Sequence, residues 1–156
     1  MRSDYFNIKE FERSSVADKY NIDNTIPKEL VPHIEELIDF LNPIREAWGK
    51  PIVVTSGYRC KELNKKVGGV DSSAHTIGYG VDLVSGNFDV FSNFIKSYFM
   101  SHPEIKFDQV IIERSGKSQW IHIGLYNKEH KQRGMVFGIT KQQTHRNKNV
   151  PFDIYI

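Results

Sequence analysis

Two polar segments far apart in the chain have to meet if their residues are to act together. The first is Ser73-Ala74-His75-Thr76-Ile77-Gly78-Tyr79-Gly80-Val81-Asp82. The second, Trp120-Ile121-His122, ends 40 residues beyond Asp82. Two histidines and an aspartate, set among glycines and short apolar runs, are the parts of a three-ligand metal site. A catalytic zinc takes three protein ligands and keeps a fourth position for water. Two imidazoles and one carboxylate leave the ion a single net positive charge, which lowers the pKa of bound water towards neutrality. A structural zinc commonly takes four ligands, often cysteines, and Cys60 is the only cysteine of this chain.

Side-chain alternation says which way these residues point. Ile121, Ile123 and Leu125 share one face of an extended segment, and Trp120, His122 and Gly124 share the other. The first set suits a core, so His122 faces a cleft. Asp82 lies between Val81 and Leu83 and also points away from an apolar face. Gly78 and Gly80 let the chain from His75 to Asp82 pass close to the site.

The remaining periodicities predict an α+β fold, a small antiparallel sheet with packed helices. Leu30, Ile34, Leu37, Ile38, Leu41, Ile44 and Trp48 recur at helical spacing. Thr25 and Pro27 read as that helix's cap and first turn, Pro32 and Pro43 should kink or divide it, and Gly49 ends it. A short helix is expected over 60–67 and a longer amphipathic one from Phe88 to Tyr98. Strands are expected at 52–55, 81–84, 107–113, 120–125 and 135–140, the third and fourth joined by a polar turn containing Gly116.

A chain of 156 residues is long enough for one domain with its own core. It is read as a single domain over 1–156, with an N-terminal arm (1–24) docked by Phe6, Ile8 and Phe11 and a basic C-terminal segment (127–156). The formal net charge of +2 argues against a polyanion binder, and no nucleic-acid partner is expected. Lys128, Lys131, Arg133, Lys141, Arg146 and Lys148 stand against Glu129 alone, which suits a solvated face or an anionic partner. Met1 to Phe6 lack the apolar core of a signal peptide. No run approaches the roughly 18 apolar residues of a membrane span. A monomer made in the cytoplasm is expected. Cys60 is read as a packed thiol.

Ser73-x-His75-x-x-Gly78-x-Gly80-x-Asp82 with Trp120-x-His122 resembles the VanY-type zinc peptidases, D-alanyl-D-alanine carboxypeptidases and L-alanyl-D-glutamate endopeptidases of bacterial and phage origin. Val53-Val54-Thr55-Ser56-Gly57-Tyr58-Arg59, then Asn64, then Val67-Gly68-Gly69-Val70, resembles the segment upstream of that family's first ligand. The likeness runs over roughly residues 6 to 126. It implies a hedgehog/DD-peptidase-like fold and one Zn²⁺ held by His75, Asp82 and His122. It implies peptidoglycan stem peptides as substrate, reached after release or assisted export. Arg59 matches the family's arginine near the metal. It would stabilise a developing oxyanion or hold a substrate carboxylate, or else anchor the strand-to-helix turn. Ser73, Gln119 and Trp120 are candidate substrate contacts.

The chain departs from the family at two places. Gly80 stands where alanine is usual. Gln119 stands where several relatives carry an acid, and an amide cannot act as a general base at neutral pH. Glu113 is the expected replacement. If it lies opposite Trp120 in a hairpin, it is diagonal to His122 on the same face. Asp108 is the fallback, in a different register. The resulting expectation is a zinc peptidase of phage or prophage cell-wall lysis. The alternatives are a non-catalytic zinc-stabilised binding module and a phage structural protein of the same fold.

Overall fold

The expected N-terminal arm forms two short helices, α1 (Ile8–Glu12) and α2 (Ser15–Lys19). Asn7 caps α1 in a reciprocal box with Glu10, and Ser14 caps α2. Phe6 and Phe11 anchor the arm in the core. The computed structural model describes residues 5–141 and 149–154. Arg146, Lys148 and the side chain of Lys141, part of the expected basic segment, lie outside the described residues, as do the first four residues of the arm.

Helix α3 (Val31–Trp48) buries Ile34, Leu37, Ile38, Leu41 and Ile44 along one stripe and ends at Gly49, whose φ is +75°. Neither proline divides it. Pro32 lies in the first turn, where its missing N–H has no helical partner to lose. Pro43 is inside the helix, but Pro43 and Asp39, whose carbonyl it leaves without a donor, are both exposed. Water can therefore replace the lost bond. Thr25 and Pro27 do not start α3. They precede a separate 3₁₀ turn (Lys28–Leu30), and the Thr25 hydroxyl donates to Asp23 at 2.6 Å. Helix α4 (Lys61–Lys66) follows Cys60, whose Sγ accepts from the Leu63 N–H. Helix α5 (Phe88–Ser101) buries Phe91, Ile95 and Phe99.

The strands are β1 (Val53–Ser56), β2 (Gly80–Val84), β3 (Gln109–Ser115), β4 (Ser118–Gly124), β5 (Met135–Lys141) and β6 (Asn149–Ile154), in the sheet order β1-β2-β4-β3-β5-β6. Val81, Leu83, Val110, Ile112, Ile121 and Ile123 point to one face, each no more than 1% exposed. All but Ile112 belong to the core cluster that contains the α3 and α5 stripes. Full burial of side chains of this size is worth about 1.5–3 kcal/mol each.

The expected antiparallel pairing holds from β1 to β4, and β5 and β6 also pair antiparallel, but β5 runs parallel to β3. The cause is topological. β4 ends where β3 begins, so a strand that restarts there on the far side of β3 must share its direction. Strand β6 was not expected from the sequence. Pro151 interrupts its pattern, and β6 lies at the sheet edge, where a proline is tolerated.

On the face opposite the helices, the register aligns a single row across the sheet: Ser56, Asp82, His122, Ile111 and Phe137. The two polar segments of the sequence are thus brought side by side on neighbouring strands.

Candidate metal centre

His75 sits on a 3₁₀ turn (Ala74–Ile77) that the Ser73 hydroxyl caps by accepting from the His75 N–H at 3.2 Å. Gly78, at φ +80°, ends the turn and returns the chain to β2. The imidazole Nδ1 of His75 lies 2.6 Å from the Gly57 carbonyl. A carbonyl only accepts, so Nδ1 carries the proton and Nε2 keeps its lone pair. That lone pair faces Asp82 Oδ1 at 3.2 Å, and His122 Nδ1 lies 2.9 Å from the same oxygen.

Two electron-pair donors face each other here, and a cation between them resolves the conflict. A proton on Nε2 is disfavoured, because burial pushes His75 below its ordinary pKa despite the neighbouring carboxylate. The Asp82 carboxyl is held well below the usual carboxylate range, so it faces the site as an anion. The three residues are 3%, 6% and 8% exposed, and their ligand atoms lie within 4.8 Å of one another. Two imidazole nitrogens and one carboxylate oxygen suit a divalent ion such as zinc. Among the described residues this is the one cluster of its kind.

Arg59 backs the cluster. Its Nη2 donates to Asp82 Oδ2 at 3.3 Å, its Nε to Ser56 Oγ at 3.1 Å and its Nη1 to Asn64 Oδ1 at 3.2 Å. Burial pushes its guanidinium pKa down, opposed by the charges of Asp82 and Glu113. Asn64 is buried and its amide also donates to the Val70 carbonyl at 2.9 Å, tying Arg59 to the loop above the cluster. Such partners orient a ligand and tune its basicity.

The cluster floors a cleft of about 610 Å³ that Arg59, Ser73, Glu113 and Trp120 also line. Gly116, at φ +60°, makes the tight turn between β3 and β4 and sets Glu113 opposite Trp120. Glu113 is therefore diagonal to His122 on the cleft face, in the register that the sequence reading required. The Trp120 indole N–H donates to Glu113 Oε2 at 2.9 Å.

Two expectations are corrected. Gln119 points to the other face of β4, is exposed and accepts from Arg114 at 2.9 Å; it does not line the cleft. The cause is the two-residue period of the strand, which puts a residue three before His122 on the opposite side. Asp108 lines the cleft but is no candidate base. Arg133 saturates it from its backbone N–H at 3.1 Å, Nε at 2.7 Å and Nη2 at 2.9 Å. Reading the sequence alone left Arg133 within a basic segment, because nothing in a separation of 25 residues signals this pair.

Gly80 is more constrained than the family comparison suggests. A Cβ there would sit 2.6 Å from the His75 nitrogen and 2.9 Å from the Ala74 carbonyl carbon, both backbone atoms. Gly80→Ala is expected to push the His75 turn outwards, costing about 2 kcal/mol of stability and weakening metal binding. Chemical denaturation and zinc titration of the variant would measure both. Unchanged values would show that the turn adjusts freely.

A cleft floored by two imidazoles and a carboxylate, with a second carboxylate beside them, is the arrangement of a metallopeptidase. The Peptidase M15 family model matches residues 4–124. That span is most of the chain, which therefore belongs to the Peptidase M15 family. The comparison with curated proteins gives no match. Among the described residues, no helix is long and apolar enough to cross a membrane.

Proposed function

We propose that the chain is a zinc-dependent peptidase that hydrolyses an amide bond in the stem peptide of bacterial peptidoglycan. In this reading His75, Asp82 and His122 hold one zinc ion, and the chain acts as a monomeric, single-domain enzyme of phage or prophage cell-wall lysis. The observation that carries the reading is the His75–Asp82 contact. A lone pair held towards a carboxylate by the Gly57 carbonyl needs a cation.

Zinc, when bound, supplies a Lewis acid for the scissile carbonyl and lowers the pKa of water. The protein supplies the rest. Glu113 takes a proton from the attacking water and returns it to the leaving amine. The Trp120 N–H on Oε2 holds that carboxylate in orientation. Arg59, with three of its N–H groups already committed, pairs with Asp82 Oδ2 and presents positive charge to the cleft wall. Ser73 shapes the His75 turn through its hydroxyl. A carboxylate beside the cluster favours catalysis over the non-catalytic binding module.

The test uses purified peptidoglycan incubated with zinc-loaded protein, with EDTA-treated protein and with His122→Ala. Mass spectrometry then identifies the released fragments. Zinc-dependent free D-alanine is the carboxypeptidase outcome, and new L-alanine carboxyl termini the endopeptidase one. His122→Ala is expected to lose both zinc and product. Absence of any zinc-dependent product across several peptidoglycan types would overturn the reading in favour of a metal-stabilised binding module.

A further inference from the structure

Arg133 is held in a way that an exposed loop arginine ordinarily is not. Its partner Asp108 is 2% exposed, whereas the Arg133 side chain is 47% exposed. The Asp108 backbone is itself clamped. Its N–H donates to the Gly124 carbonyl and its carbonyl accepts from the Met135 N–H, both at 2.9 Å. The buried carboxylate takes the Nε and Nη2 edge of the guanidinium. Nη1, with its two N–H groups, takes no part in that pair. A long side chain that would otherwise sample many rotamers is thus fixed in advance, which removes much of the entropic cost of using it.

Its position relative to the metal cluster follows from the strand. Gly124 lies two residues past His122 on the same face of β4, about 7 Å along it. A Cβ at Gly124 would stand 3.6 Å from His122 Nε2 and 4.0 Å from Gln109 Cβ. With glycine there, β4 itself adds no side chain to the strip between His122 and the Asp108–Arg133 pair, and the side chains of Ala74 and Gln109 border it. Glu113 and Trp120 lie on the other side of His122 along the same strands. The cleft therefore runs from a carboxylate end, past the metal cluster, to a guanidinium end, and Arg133 lines it.

We propose that Arg133 determines specificity by binding a free carboxylate of the substrate one residue from the scissile bond. The proposal rests on the peptidase reading above and deepens it. Guanidinium and carboxylate pair through charge-assisted bonds that a carboxamide cannot match. A stem peptide offers such a group in two places: the C-terminal carboxylate of D-alanyl-D-alanine, and the α-carboxylate of γ-linked D-glutamate beyond L-alanine. Either lies next to an amide bond that the site would cut.

The experiment compares peptides of sequence L-Ala-γ-D-Glu-L-Lys-D-Ala-D-Ala in three forms: unmodified, C-terminal amide, and D-glutamate α-amide. The proteins are wild type, Arg133→Gln, and the paired Arg133→Gln, Asp108→Asn, which leaves no buried charge if the single variant folds poorly. For wild type, amidating the carboxylate next to the cut bond is expected to lower kcat/KM about 10- to 100-fold, chiefly through KM. Which amide is discriminated against identifies which carboxylate Arg133 reads. In the variants that acid-over-amide preference is expected to disappear. The same preference in wild type and variants overturns the proposal while leaving the peptidase reading intact. Calorimetric binding of the acid and amide peptides to zinc-loaded protein decides the matter even without turnover. Loss of acid preference in the variants supports the proposal, and equal preference overturns it.

Discussion

Glu113→Gln is expected to leave zinc bound and to cut peptide hydrolysis by about 10²- to 10⁴-fold. The substitution keeps the shape of the side chain and can still accept the Trp120 indole N–H. What it removes is the capacity to take a proton from water and return it to the leaving amine. The hairpin register leaves Glu113 diagonal to His122 with no strand between them. Zinc content by atomic absorption and turnover on a stem peptide would be measured on the same preparation. Wild-type turnover in a zinc-loaded variant would remove Glu113 from the mechanism.

Asp82→Asn is expected to weaken zinc binding by more than about 100-fold, as loss of an anionic ligand at a three-ligand site should. It should also destabilise the metal-free protein by about 1–3 kcal/mol, because the largely buried Arg59 guanidinium, 16% exposed, loses its counter-charge. The pH dependence has a definite sign. The Asp82 carboxyl titrates below its unfolded value. Its stabilising contribution is therefore complete above the unfolded carboxylate pKa of about 4 and is lost as pH falls from there through the folded value. The gap between wild type and variant should be full at neutral pH and narrow in acid. Urea titrations of both proteins in EDTA, at several pH values, would measure it. Equal stability at neutral pH would mean that the Arg59–Asp82 pair contributes nothing net.

Several features of the candidate site were legible because they depend on local rules. Alternation over Trp120 to Leu125 and over Val81 to Leu83 placed His122 and Asp82 on the polar face before any fold was known. The turn glycine Gly116 makes the β3–β4 hairpin tight, and a tight hairpin admits only one register, so Glu113 opposite Trp120 could be stated as a condition and then observed. The same period explains why Gln119 is not part of the cleft: three residues along a strand is always the other face. The expectation that a proline would divide α3 failed for a different reason. A proline is tolerated inside a helix more readily where the carbonyl it leaves bare can reach water, and Asp39 is exposed.

By itself, the sequence determined which residues alternate, where most of the helices and strands fall, and which side chains are able to ligate a metal, since all of these follow from spacing along one segment. Tertiary structure alone decided which segments became neighbours. It put β2 beside β4 so that Asp82 and His122 share a row, and turned the Gly57 carbonyl onto His75 to fix its tautomer. It also set Arg59 against Asp82, β5 parallel to β3, and Arg133 on a buried Asp108. These contacts join residues far apart in the chain. They are chosen by the burial of Val81, Leu83, Ile121 and Ile123 against the helices, a collective gain that no single segment records.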